Sequence, residues 1–199
     1  VEDYLYEIKY DALDYEYGKR IFAEDKVEIP AGGCSSARKG DFHIRSYDWN
    51  YSHECDFIIR TGKSANRKCS VIGIAGCLPE FSKEFVESGN YTEEYKFLPF
   101  RLLDGMNDSG VVANINVVPQ IEDHISYEIL PAIEQRDEIS MLGIIRYILD
   151  NFKSAEEAAN YIKNYVKVYL PEHLNGHGYE IHVMISDKNN TYVLEFINS

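Results

Sequence analysis

Apolar residues recur along the chain in two rhythms. Short runs of alternating or continuous apolar residues predict strands at Phe42–Trp49, Cys55–Thr61, Val71–Ala75, Val111–Val118, Glu180–Ser186 and Thr191–Phe196. The first two read as a hairpin-like pair. Gly76 ends the third, the tight turn Asn107–Gly110 precedes the fourth, and Asp187–Asn190 joins the last two. A helical rhythm runs over Ile139–Asp150, where Met141, Leu142, Ile144, Ile145, Ile148 and Leu149 make one stripe. Ser154-Ala155-Glu156-Glu157 is a capping box and predicts a second helix to about Tyr165. Pro79–Gly89 is mixed and reads as a short helix or a loop. Strands, then a helix pair, then strands predict an α+β fold of stacked layers rather than alternating βαβ units.

Residues 1–33 differ from the rest. They carry nine acidic against four basic residues, and five tyrosines: Tyr4, Tyr6, Tyr10, Tyr15 and Tyr17. Leu5, Ile8, Ala12 and Leu13 form a weak helical stripe. Pro30 then interrupts regular structure, and Gly32-Gly33 gives the backbone unusual freedom. Two readings follow: an N-terminal helix packed on the domain, or a propeptide that precedes a domain spanning 34–199.

The 199 residues suffice for one domain with a real core. No apolar run approaches a membrane span. The net charge of −13 argues against a nucleic-acid partner, because an acidic surface repels phosphate backbones. The chain starts at Val1 with no basic-then-apolar leader, so it reads as cytoplasmic or as secreted after leader removal, and localisation stays open. Of the four cysteines, Cys34, Cys55, Cys69 and Cys77, no two are spaced C-x-x-C. Cys69 and Cys77 read either as a pair or as free buried thiols. His43, His124, His173, His177 and His182 show no zinc-binding spacing, and no cofactor is expected.

Cys34 carries the chemistry. It follows Gly32 and Gly33, with Arg45 and Asp48 downstream. If the Gly33–Cys34 bond is broken, one residue holds both a thiol and a free α-amine. A thiol with pKa about 8.5 and an amine near 7.7–8.0 are matched for proton transfer around neutrality. The residue is then nucleophile and base together. The plainer reading, a small buried hydrophobe, stands beside it.

Four segments occur in a telling order: the Cys34 start, Arg45-Ser46-Tyr47-Asp48, the turn Asp104-Gly105-Met106-Asn107-Asp108-Ser109-Gly110, and the late strand Ile181–Asp187. In this the chain resembles the choloylglycine hydrolase and penicillin V acylase family of N-terminal nucleophile hydrolases. The resemblance implies a four-layer αββα sandwich, of which this chain holds the N-terminal portion. It implies a small-molecule substrate with a linear, non-peptide amide, such as penicillin V, conjugated bile salts or N-acyl amino acids.

By the same resemblance Cys34 attacks, Asp48 holds its α-amine, Arg45 favours the thiolate, and Asn116 donates to the oxyanion or substrate amide. Arg45 and Asp48 are three apart, so a regular strand would turn them to opposite faces and a bend or strand end is expected near Ser46–Asp48. Asn114 shares the strand face of Asn116. Asn107 is assigned to the turn itself. Asp104 is given no catalytic role, and Trp49, Tyr51, Phe57 and Tyr127 are candidates for an acyl pocket. The family's downstream oxyanion asparagine and later arginine have no place in this chain. The chain therefore reads as the N-terminal part of a longer product, as a fold completed by a homo-oligomer or a complementing chain, or as a degenerate relative, with strand edges that something must cover. Two other readings compete: a non-catalytic module that retains residues 1–33, and a cysteine peptidase using His43 as base.

Overall fold

The computed structural model describes residues 5–10, 32–49, 56–76, 83–89, 93–118, 137–169 and 180–196. Eleven strands lie in this part: β1 Leu5–Tyr10, β2 Gly32–Lys39, β3 Phe42–Trp49, β4 Asp56–Thr61, β5 Val71–Ala75, β6 Asp104–Asn107, β7 Val112–Val118, β8 Asp137–Ser140, β9 Val166–Tyr169, β10 Glu180–Ser186 and β11 Thr191–Glu195. The helices are α1 Lys83–Glu87, α2 Ile144–Asn151 and α3 Ala155–Tyr165. A seven-stranded sheet runs in the order β1-β4-β5-β6-β7-β10-β11, and β2-β3 and β8-β9 form separate two-stranded sheets. The fold class is α+β, as the sequence predicts.

Alternation decides which face of the large sheet is buried. On one face lie Phe57 and Ile59 of β4, Val71 and Ala75 of β5, Ala113 and Ile115 of β7, and Ile181, Val183 and Ile185 of β10, all in the core. Against them pack Ile144, Ile145, Ile148 and Leu149 of α2 and Ala155, Ala158 and Ile162 of α3. Gly105 lets α2 come close: a Cβ there would meet Ile72 O at 2.7 Å and Leu149 Cδ1 at 2.9 Å. Beneath α2 lies an ion pair. Arg146 donates through Nε and Nη2 to the Asp150 carboxylate at 2.8 and 2.7 Å, and through Nη2 to Thr61 Oγ1 at 2.6 Å. Burial pushes the Asp150 carboxyl up and pulls the Arg146 guanidinium down, so each charge depends on the other.

The capping box forms. Ser154 Oγ accepts from Glu157 N at 3.2 Å, while the Glu157 carboxylate reaches Lys153 N at 3.4 Å. Asp187, in the β10–β11 turn, accepts from Ala155 N at 2.7 Å and ties the last hairpin to the start of α3. Among the described residues no helix is long and apolar enough to cross a membrane.

Three expectations are corrected. Residues 5–10 form a strand parallel to β4, because an apolar sheet edge offers the segment backbone partners that an isolated helix lacks. The strands at 42–49 and 56–61 do not pair with each other: β3 pairs with β2, and β4 lies between β1 and β5. The helical stripe from Ile139 begins as β8, then one 3-10 turn, Met141–Gly143, and becomes α-helical only at Ile144. Parallel pairing of β8 with β9 outweighs helical spacing there.

Candidate active site

The opposite face of the large sheet is polar at its centre. Asp104 on β6, Asn114 and Asn116 on β7, and Ser186 on β10 point away from the helices. The β2–β3 hairpin lies across them, and this is the layer that brings Cys34 to the sheet. Its register is unbroken from Gly32↔Trp49 to Lys39↔Phe42. Cys34 stands opposite Tyr47 and Gly33 opposite Asp48. Of the bend or strand end expected near Ser46–Asp48, the bend is absent, because every residue through Trp49 keeps a partner on β2, and the strand ends only at Trp49. Positions 45 and 48 therefore fall on opposite strand faces. The side chain of Asp48 lies outside the described residues, as do those of Trp49, Tyr51, Cys55, Cys77, His124, Tyr127, His173 and His177.

Arg45 is the hub of the site. Its side chain is only 7% exposed and lies between three groups. Nη1 donates to Asp104 Oδ2 at 3.1 Å. Nη2 donates to the Ile115 carbonyl at 2.9 Å and reaches Cys34 Sγ at 3.7 Å. A guanidinium is planar, so two fixed acceptors leave little freedom to the N–H that faces the sulfur. Burial raises the Asp104 carboxyl above the ordinary carboxylate range, and Arg45 opposes that rise.

Asp104 is the residue that sequence reasoning missed. The motif around it divides by direction. Asp104 faces the hairpin and pairs Arg45, while Gly105 admits α2 on the other side. Met106 is exposed next to Ile72, its partner on β5. Asn107 serves the turn, as expected, since Oδ1 accepts from Ser109 N and Val111 N at 3.0 Å each. It also caps α2, because Nδ2 donates to Leu149 O at 2.9 Å and Phe152 O at 2.8 Å.

Asn116 and Asn114 meet within one network. Asn116 Oδ1 accepts from Ser36 Oγ at 3.0 Å and Asn114 Nδ2 at 3.1 Å. His43 contacts Asn114 Oδ1 through Nε2 at 2.8 Å and Ser186 Oγ through Nδ1 at 2.7 Å. Both ring nitrogens are thus occupied away from the thiol, which removes the geometry a Cys34–His43 peptidase needs. His182 pairs across the strands with Glu195 at 3.3 Å. Phe57 is fully buried in the core. Cys69 is a free buried thiol, as in the second of its two readings. No cluster of metal-ligating side chains occurs among the described residues.

The α+β domain thus lays a glycine-preceded cysteine and an anchored arginine over a polar sheet face. The chain belongs to the choloylglycine hydrolase family of linear amide C–N hydrolases, whose family model matches residues 36–198. No curated protein sequence matches it significantly. Among solved structures, penicillin V acylase from Agrobacterium tumefaciens is 20% identical, with a TM-score of 0.40, covering 69% of this chain and 34% of that one. A mutant of conjugated bile acid hydrolase from Clostridium perfringens is also 20% identical, with a TM-score of 0.47, covering 83% of this chain and 51% of that one. The chain thus spans about half or less of the length of these structures.

Proposed function

We propose that the protein is a cysteine amidohydrolase of the N-terminal nucleophile type, acting on linear acyl amides once the Gly33–Cys34 bond has been cut. The observation that carries this reading is the 3.7 Å approach of Arg45 Nη2 to Cys34 Sγ, by an arginine that Asp104 and the Ile115 carbonyl hold in place. In the ladder Asp48 stands across from Gly33 but on the strand face opposite to Arg45, so its hold on the new α-amine requires the hairpin to rearrange once the bond is cut.

Processing begins when Cys34 Sγ adds to the Gly33 carbonyl carbon. The C–N bond to Cys34 breaks, its nitrogen leaves as the protonated α-amine, and water hydrolyses the resulting thioester. In turnover the α-amine takes the thiol proton as sulfur attacks the substrate carbonyl. It returns that proton to the leaving amine, and a water activated by the same amine then releases the acyl group. Asn116 Nδ2 stabilises the oxyanion or orients the substrate amide. Ile72 and Met106, exposed on the same strand face as Asp104, are the apolar surface for the acyl part. Penicillin V and conjugated bile salts are the first substrates to try.

A second reading rests on the unbroken ladder. Gly32 and Gly33 are paired within β2, so in this form the nitrogen of Cys34 is an amide with no useful basicity. A chain that keeps this linkage would be a non-catalytic binding module, alone or completed by another chain. Cys34→Ala and Cys34→Ser separate the two. The amidase reading expects Cys34→Ala to block both processing and hydrolysis of penicillin V, and Cys34→Ser to process slowly and hydrolyse poorly. Equal hydrolysis by wild type and Cys34→Ala would refute it.

A further inference from the structure

The hairpin and the sheet share a chain of hydrogen bonds whose direction can be worked out. Its members are Ser186, His43, Asn114, Ser36 and Asn116. Asn114 is fully buried, so each of its amide hydrogens needs an acceptor. With Asn114 Nδ2 toward Ser36 Oγ and Asn116 Oδ1, both hydrogens are used, and Oδ1 is left to accept from His43 Nε2. Reversing every amide would point Asn114 Nδ2 at His43 Nε2, which accepts one hydrogen and strands the other in a dry site. The first direction is therefore the one that satisfies the buried groups. It requires a proton on His43 Nε2, while Nδ1 meets the Ser186 hydroxyl, which can donate or accept. It also directs two donors onto Asn116 Oδ1, so the Asn116 amide turns its Nδ2 outward. That group has no acceptor among the described residues.

We propose that His43 is a positioning residue: through Asn114 and Ser36 it fixes the Asn116 amide with its N–H donors presented to the substrate. The inference rests on the reading of Asn116 as a substrate or oxyanion donor and adds what makes it a donor rather than an acceptor. The two amide orientations are almost the same in shape and opposite in electrostatics. An acceptor at that place would repel the developing oxyanion. His43 is thus tied to catalysis without touching the thiol or the substrate.

Two measurements test it. Long-range 15N–1H correlation spectra of the imidazoles, assigned by comparison with His43→Gln, read the tautomer in the wild-type protein and need no turnover. The expected result is a protonated Nε2 at His43, whether or not Nδ1 also carries a proton. A protonated Nδ1 with a bare Nε2 would mean the chain runs the other way and would overturn the proposal. The second measurement is hydrolysis of penicillin V by the processed protein. His43→Leu, which lacks a donor, should lower kcat ~10-fold with little change in KM. His43→Gln, which can still donate to Asn114 Oδ1, should recover most of that loss. Asn116→Ala is run alongside. If it loses turnover while His43→Leu keeps it, the relay is wrong and the role of Asn116 stands. If Asn116→Ala turns over normally, Asn116 is not a donor, and the relay falls with it.

Discussion

The large sheet carries an arginine–aspartate pair on each side, and the two do different things. On the helix side Arg146 and Asp150 lie one turn apart on α2, with side chains 2% and 0% exposed and a two-pronged contact. On the hairpin side Arg45 and Asp104 are 59 residues apart in sequence, and Asp104 remains 29% exposed. The first guanidinium directs its bonded N–H groups at oxygens. The second directs one of its N–H groups at a sulfur. Pairing alone therefore says nothing about function. What separates the two sites is whether part of the arginine is turned toward a group that can react.

Breaking the sealed pair should give the largest effect. Arg146→Met or Asp150→Leu alone leaves a buried charge uncompensated and should cost about 3–5 kcal/mol of stability by urea denaturation. The double variant, apolar on both sides, should recover most of it. No such repair is expected at the open pair. Arg45→Met should lower penicillin V hydrolysis ~100-fold, and adding Asp104→Leu should restore stability but not turnover. If the double variant at 45 and 104 regained activity, the open pair would be as structural as the sealed one.

Gly105 stands between the two pairs. Gly105→Ala presses on the β5 backbone at Ile72 and Gly73 as well as on Leu149 and should cost ~1–3 kcal/mol by overpacking, seen in the same denaturation assay. The smallest expected effect lies at Asp187. Burial acts upward on its carboxyl, and the N–H groups of Ala155, Asn190 and Asn189, with Arg38 nearby, outweigh it, so it titrates below the ordinary carboxylate range. Its contribution is present above the unfolded pKa of about 3.9 and lost as pH falls through the depressed folded value. Asp187→Asn should cost about 1 kcal/mol near neutrality and flatten the stability curve on its acid side.

Much of this was legible in the chain. Val71–Ala75 and Glu180–Ser186 match their strands residue for residue, because continuous apolar runs bounded by turn residues leave little choice. The capping box at Ser154 set the start of α3. Cys34, Arg45 and Asn116 do lie on the face where the hairpin meets the sheet. Asp104 was hidden because its role depends on what crosses over it: the local sequence shows a turn, and only the docking of β3 supplies the arginine. The pairing of β2 with β3 was hidden for a related reason. Gly32–Lys39 has no apolar rhythm, since its inward face carries Cys34, Ser36 and Arg38 for the site rather than core residues.

The central claim is that the sulfur and the amine of residue 34 act together. Labelling an active preparation with a thiol-directed inhibitor, then taking intact mass and N-terminal sequence, tests it most directly. The label should sit on a chain that starts at Cys34, and inhibition should follow labelling of that species. Full activity in a protein whose residue 34 is still joined to Gly33 would contradict the account.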